Sequence, residues 1–214
     1  MTERSNLPER SPERDAAIAM VLNLVPIHGW SIKSLQQAIT DETDLMLLFP
    51  GGTPDLIETS CDLADRQMEE DAAAADFEGL GLTKRVRAVI ALRLDRQRPN
   101  RDAIRRAIAV LAIPTLAPLS ARITAHTVDS IWFAAGDRSA DFSWYTKRAI
   151  LAVVYAGTLL FWLRDYGEND AATLEFLDRR LQGVGNIGKV KARIERALDR
   201  FKPHRLKRNQ SEAV

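Results

Sequence analysis

The chain has 214 residues, 46% of them hydrophobic and 28% charged, a balance expected of one globular domain or two. Thirty basic residues against 29 acidic ones give a formal charge of +1, so no global charge marks the chain for nucleic acid or an anionic surface. A single cysteine, Cys61, excludes an internal disulfide framework. Three scattered histidines (His28, His126, His204) and the absence of any Glu-x-x-His pair argue against a metal centre or a di-iron carboxylate bundle, so no metal or other cofactor is expected.

Helical periodicity runs through the chain, without strand alternation or hairpin turns. Residues 1–14 carry charges and Pro8 and Pro12 but no apolar run, and read as a mobile leader rather than a targeting signal. A first helix is predicted from Asp15 to Val25, stopping before Pro26. Ser31 caps a second, to Thr40, and a short third covers Asp44 to Phe49. A fourth runs from Pro54 to Ala75. Thr83 caps the next, to Gln97, followed by Arg101 to Ala112 and by Pro118 to Ala135, ended by Gly136. Asp141 caps a long helix to Asp165, Asp170 caps Ala171 to Gln182, and Lys189 to Phe201 form the last. The breakers all fall between periodic segments, which predicts an all-α bundle of nine to ten helices. The apolar run Ala149 to Leu163 has fifteen residues, short of the roughly 20 that span a bilayer.

No catalytic constellation emerges. Gly183-Val-Gly185-Asn-Ile-Gly188 matches a dinucleotide fingerprint by letters, but a helix precedes it instead of a strand, so it reads as a helix break. Cys61 has no basic residue within a turn before it and reads as packed. Neither His28 nor His126 has partners for general acid or base work. The absence favours a binding protein over an enzyme.

The opening helices have the layout of a TetR-type helix-turn-helix regulator. Such a module must meet phosphates with Lys and Arg. From Ser31 to Ser60, Lys33 stands alone against Asp41, Glu42, Asp44, Asp55 and Glu58, a net charge of −4, so DNA binding is not expected. The segment from Gly183 to Val214 carries nine basic and three acidic residues, a net charge of +6. Ile187, Val190, Ile194, Leu198 and Phe201 share one helical face there, opposite Lys189, Arg193, Arg196 and Arg200. Such a helix either lies in a membrane interface or docks its apolar stripe on the core.

Thr127 to Arg164 is the richest segment. Two apolar helices meet at Gly136-Asp137-Arg138-Ser139-Ala140-Asp141, with Gly136 suited to a C′ position. Trp144 and Tyr145 follow in the first turn of the long helix, where an amphipathic aromatic commonly anchors an interface. Arg148, one turn on from Trp144, either holds a phosphate or carboxylate at the mouth of an apolar channel or pairs with Asp141 or Asp137. The helix behind it is apolar on nearly every face, so Ile150, Leu151, Val153, Val154, Leu159, Leu160 and Leu163 line a cavity or fill a core.

The run Ala135-Gly136-Asp137-Arg138-Ser139, Asp141-Phe142, Trp144-Tyr145-Thr146 and Lys147-Arg148-Ala149 is similar to the signature of the Coq-nine family, the lipid-binding accessory proteins of ubiquinone biosynthesis. Tyr155, Thr158, Thr173, Phe176-Leu177, the "LLFPGGTPDLIE" stretch, Gly29-Trp30-Ser31 and Thr127-Val128-Asp129 extend the resemblance over about residues 15–182. The resemblance implies a TetR-like bundle that is not used on DNA: a helix-turn-helix-like subdomain at 15–75, a helical lipid-binding domain at 76–182 and a basic tail at 183–214. It implies a cavity for a phospholipid or an isoprenoid quinone intermediate, presented to a hydroxylase of the Coq-seven type. By it, Arg148 with Ile150, Leu151, Val154, Leu159 and Leu163 would meet the lipid, and Asp137, Asp141, Trp144 and Tyr145 the hydroxylase. Lys189, Arg193, Arg196, Arg200 and Phe201 would touch the membrane. No presequence of the mitochondrial kind is read, which points to a bacterial member, cytoplasmic and peripheral to the inner membrane, with no nucleic-acid partner and with room for a homodimer.

Overall fold

The computed structural model describes residues 7–33, 36, 45–137 and 144–183, and all the regular structure among them is helical. Helix α1 spans Pro12–His28, α2 Leu45–Leu48, α3 Thr53–Ala74, α4 Leu82–Arg96, α5 Arg101–Leu111, α6 Ala117–Ala134 and α7 Trp144–Trp162. Residues 171–183 form α8, and residues 32, 33 and 36 are also helical. Seven α-helices thus lie wholly within the described residues, against the nine to ten predicted. The helix predicted over 189–201 lies outside them.

Helix α1 is longer than its sequence suggested. Ser11 caps it, its hydroxyl accepting from the Arg14 N–H at 3.2 Å, and Pro12 occupies the first turn, where its missing N–H costs nothing. Pro26 does not end it. Val21 and Val25 are fully buried on its core face and hold the last turn, which Gly29 closes at a φ of 75°. Residues 12–14, expected in a mobile leader, are therefore helix. Arg14 is only 3% exposed: its guanidinium donates to the Leu48 carbonyl, to Asp55 Oδ1 at 2.5 Å and to Thr59 Oγ1 at 2.6 Å, and stacks over Phe49. Arg10 pairs with Asp62 at 2.6 Å, and Arg66 bridges Asp62 and Asp15.

Two apolar cores organise the helices. One gathers Ile18, Val21, Phe49, Leu56 and Ile57 from the first helices, with Ala103 and Ala107 of α5 and Ile123 of α6. The other gathers Met68 of α3, Val89 and Ile90 of α4, Ile131 of α6, Trp162 of α7 and Leu177 of α8. Helices α3 and α6 contribute to both, and α5 packs with the N-terminal helices, so packing does not divide the chain at residue 75.

Caps departed from expectation in two places. Gly81, not Thr83, precedes α4. At α8 the Asp165 carboxylate, not that of Asp170, accepts the Thr173 N–H at 3.0 Å and hydroxyl at 2.7 Å; the Thr173 hydroxyl and two backbone N–H groups hold the Asp165 acid below its usual range. Asp170 is instead buried between Arg101 and Arg98, at 2.5 and 3.1 Å. Gly136 does sit at the C′ of α6, with a φ of 74°, its N–H reaching the Phe133 carbonyl and the Asp137 N–H the Trp132 carbonyl. A side chain at 136 would also meet Arg85 Nη1 at 2.9 Å.

Where the cores meet, Asp65 of α3 faces Arg93 of α4, Oδ1 to Nη1 at 2.6 Å, both fully covered. Thr127 of α6 donates to Asp65 Oδ2 at 2.9 Å, and Arg93 Nε donates to the Tyr155 hydroxyl of α7 at 2.8 Å. Burial pushes the Asp65 acid up to about 6, against the pull of Arg93 and Thr127. Burial also works against the charge on Arg93, but Asp65 and Tyr155 outweigh it and hold the guanidinium above its ordinary value.

Among the described residues no single helix is long and apolar enough to cross a membrane; Arg98–Leu111 and Pro114–Ala134 satisfy that test only jointly, and they bend by 98°.

Two stability outcomes follow. Arg14→Ala leaves Asp55 without its partner and should lower the unfolding free energy in urea by about 3 kcal/mol. A change within about 0.5 kcal/mol would return residue 14 to a leader. Asp65→Leu alone should cost about 3–5 kcal/mol, and adding Arg93→Met should restore most of it, because an unpaired buried charge is worse than none. The Asp65 carboxyl keeps its proton to about pH 6 when folded but only to about 4 when unfolded, so its contribution favours the fold at pH 4 and fades as the pH rises through 6. The double variant should lose that decline relative to the parent. Equal pH slopes between 4 and 6 would show that Asp65 titrates normally.

Candidate functional site

A cavity of about 340 Å3 lies beneath this buried pair, near the lower end of the roughly 300–1,000 Å3 typical of small-molecule sites. Ile57, Cys61 and Ala64 of α3, Ile104 and Ile108 of α5, and Ile123 of α6 form apolar wall. Helix α7 adds Tyr155, Ala156, Leu159, Leu160 and Trp162. The polar lining is sparse, with Arg93 and Gln97 at the end of α4 the largest groups.

Leu111, Ser120 and Thr124 also line a more open groove of about 620 Å3 between α6 and α7. Its floor is small-residue helix surface, Ala117, Ala121, Ala125, Ala149 and Ala152, where backbones leave room that larger side chains would fill. Asp129, Tyr145 and Arg148 stand at its far end. Apolar side chains continue outside it: Val153 is 75% exposed and Leu160 52%. Exposed apolar surface beside a concave opening marks a surface that binds something apolar.

The structure divides the sequence candidates. Arg148 does stand beside the apolar opening, but its Nε bonds Asp129 of α6, not Asp137 or Asp141. Leu159 lines the cavity. Ile150, Leu151, Val154 and Leu163 do not: they pack into the upper core with α4 and α6. A helix wedged between a core and a surface gives each neighbour only a stripe, and the first half of α7 turns its stripe to the core. Tyr145 is 76% exposed. Asp137 is not: its carboxylate is 7% exposed, with Lys147 Nζ at 4.0 Å. Asp141 and the Trp144 side chain lie outside the described residues, as do Lys189, Arg193, Arg196, Arg200 and Phe201.

Sequence reasoning missed Arg93, Gln97 and Tyr155 as lining, and the part played by α3 and α5. One signal was present. Asp65 falls on the same face of α3 as Ile57, Met68 and Ala72, and a charge at core spacing announces a buried partner.

Burial pushes the Cys61 thiol up to about 12, so at neutral pH it is a poor nucleophile. Among the described residues no group of three or more potential metal ligands comes together.

A family model described as COQ9 matches residues 117–188, the stretch that forms the groove and much of the cavity. The chain is 28% identical over 202 residues to the rat mitochondrial ubiquinone biosynthesis protein COQ9, covering 87% of this chain and 65% of that one. It is 29% identical over 181 residues to the human protein of the same name, covering 80% and 57%. The chain thus spans about three-fifths of the length of these curated relatives. Its fold matches the crystal structure of a TetR transcriptional regulator from Nitrosomonas europaea with a TM-score of 0.66 and 25% identity, over 80% of this chain and 97% of that one. The all-α bundle is therefore TetR-like, and residues 117–188 carry the match to the COQ9 family model.

Proposed function

We propose that the chain is a lipid-binding accessory protein of ubiquinone biosynthesis without chemistry of its own. It holds an isoprenoid quinone intermediate or a phospholipid and presents it to a membrane-associated hydroxylase of the Coq-seven type. The observation that carries this reading is the apolar cavity, which shares Leu111, Ser120 and Thr124 with the α6–α7 groove. A polyisoprenoid chain in water costs about 25 cal/mol per Å2 of exposed apolar surface, so a molecule taken from a bilayer needs such a lined space near the surface. Arg148 at the groove suits a head group as a planar cation, and exposed Tyr145, with Trp144 beside it in sequence, suits a docking hydroxylase. The basic residues of the tail would add attraction to anionic lipid at the inner membrane.

A second reading, a TetR-type regulator with an apolar ligand, draws on the Nitrosomonas likeness. The net charge of −4 between Ser31 and Ser60 opposes it, and a salt-sensitive shift of an operator fragment would revive it.

Native mass spectrometry of gently purified protein should show a bound lipid or quinone precursor. Ala156→Phe places a ring at an exposed α7 position on the cavity wall and should cut that occupancy several-fold with little change in helicity. Lipid-free parent protein with no affinity for isoprenoid quinones would count heavily against a carrier. Trp144→Ala should weaken capture of the hydroxylase while leaving circular dichroism unchanged; unfolding of that variant would identify Trp144 as core.

A further inference from the structure

The cavity is not uniformly apolar, and three of its larger polar side chains do not line the groove. Arg93 and Gln97 are one turn apart on α4 and its cap, and Tyr155 joins them through its bond from Arg93 Nε. All three are at least nine-tenths buried and line the same cavity, yet none lines the groove.

Each carries a donor with nothing to give to. Arg93 uses Nε on Tyr155 and Nη1 on Asp65, which leaves Nη2 without an acceptor among the described residues. The Tyr155 hydroxyl accepts from Arg93 and donates to no described residue; burial raises its acid value, so the proton stays on. Gln97 accepts at Oε1 from Asn100 Nδ2 at 3.1 Å, and its own amide nitrogen has no described acceptor. Buried donors without acceptors are rare in folded proteins, because each forfeits the hydrogen bond it had in water.

We propose that these three side chains form a polar subsite in the cavity wall for an uncharged oxygen acceptor, such as a ring carbonyl or ether of the bound ligand. This deepens the lipid-binding reading and rests on it. The subsite is selective for neutral ligands. Asp65, 2.6 Å from Arg93, already balances the guanidinium, so a carboxylate or phosphate would bring a second negative charge beside the first. It is selective for acceptors because the three free groups are donors, and a site built to hydrogen-bond rejects a hydrocarbon that leaves it unpaired.

Three small probes of nearly equal size separate the possibilities: 4-butylacetophenone, pentylbenzene and 4-butylbenzoate, each competed against a bound environment-sensitive fluorophore on the full chain. The parent should bind the ketone roughly tenfold more tightly than the hydrocarbon, the worth of about one good hydrogen bond, and more tightly than the benzoate. Tyr155→Phe and Gln97→Leu should each narrow the ketone-to-hydrocarbon ratio at least threefold while leaving pentylbenzene affinity unchanged. A parent that binds pentylbenzene as well as the ketone overturns the subsite but leaves a lipid cavity standing. Tightest binding of the benzoate overturns it in favour of an anion site. Binding of none of the three removes the carrier reading itself. The comparison among probes on the parent stands even if a variant fails to fold.

Discussion

Arg93 and Asp65 meet at the level where the two apolar cores join, and each makes the other tolerable there. Asp65 lies on α3 between Ile57 of the lower core and Met68 of the upper; Thr127, which donates to it, lies on α6 between Ile123 and Ile131. The pair therefore crosslinks the two long helices that run through both cores, and through Tyr155 it reaches α7. A buried ion pair is weak evidence of net stability, since apolar replacements of similar volume often do as well. Its value here lies in placement: it sets polar groups in the wall of an otherwise oily space and keeps that space from closing on itself.

The cavity and the groove use one helix in two ways. Helix α7 gives Leu151, Val154 and Trp162 to the core, while Ala156, Leu159 and Leu160 line the cavity. The alanines of α6 and α7 leave room in the groove that larger side chains would fill. The chain thus combines a TetR-like frame with a largely apolar cavity, and its stretch between Ser31 and Ser60 carries a net charge of −4.

Much of the frame was legible. Pro99, Pro114 and Gly136 fall between helices, and the Gly136 terminus was readable because only a residue tolerant of positive φ closes a helix that way. Pro26 misled because tertiary burial of Val21 and Val25 outweighs one lost hydrogen bond near a helix end. Arg148 was placed by its position after the corner, but its partner was not, since Asp129 lies 19 residues away on another helix and only the crossing of α6 and α7 brings it near. The cavity lining was the least legible part. Its walls come from α3 to α7, and periodicity within one helix shows which face is apolar without showing which neighbour that face will meet. Leu151 and Leu160 look alike in the sequence; one is core and the other lines the cavity.

Because α3 and α6 thread both cores, the two halves of the molecule cannot melt separately without tearing a continuous helix. An occupant of the cavity would therefore steady the amino-terminal helices it never touches, by mass action on a single cooperative transition. Loading and unloading of cargo would be felt along the whole length of the chain, so the same helices that build the container also report whether it is full.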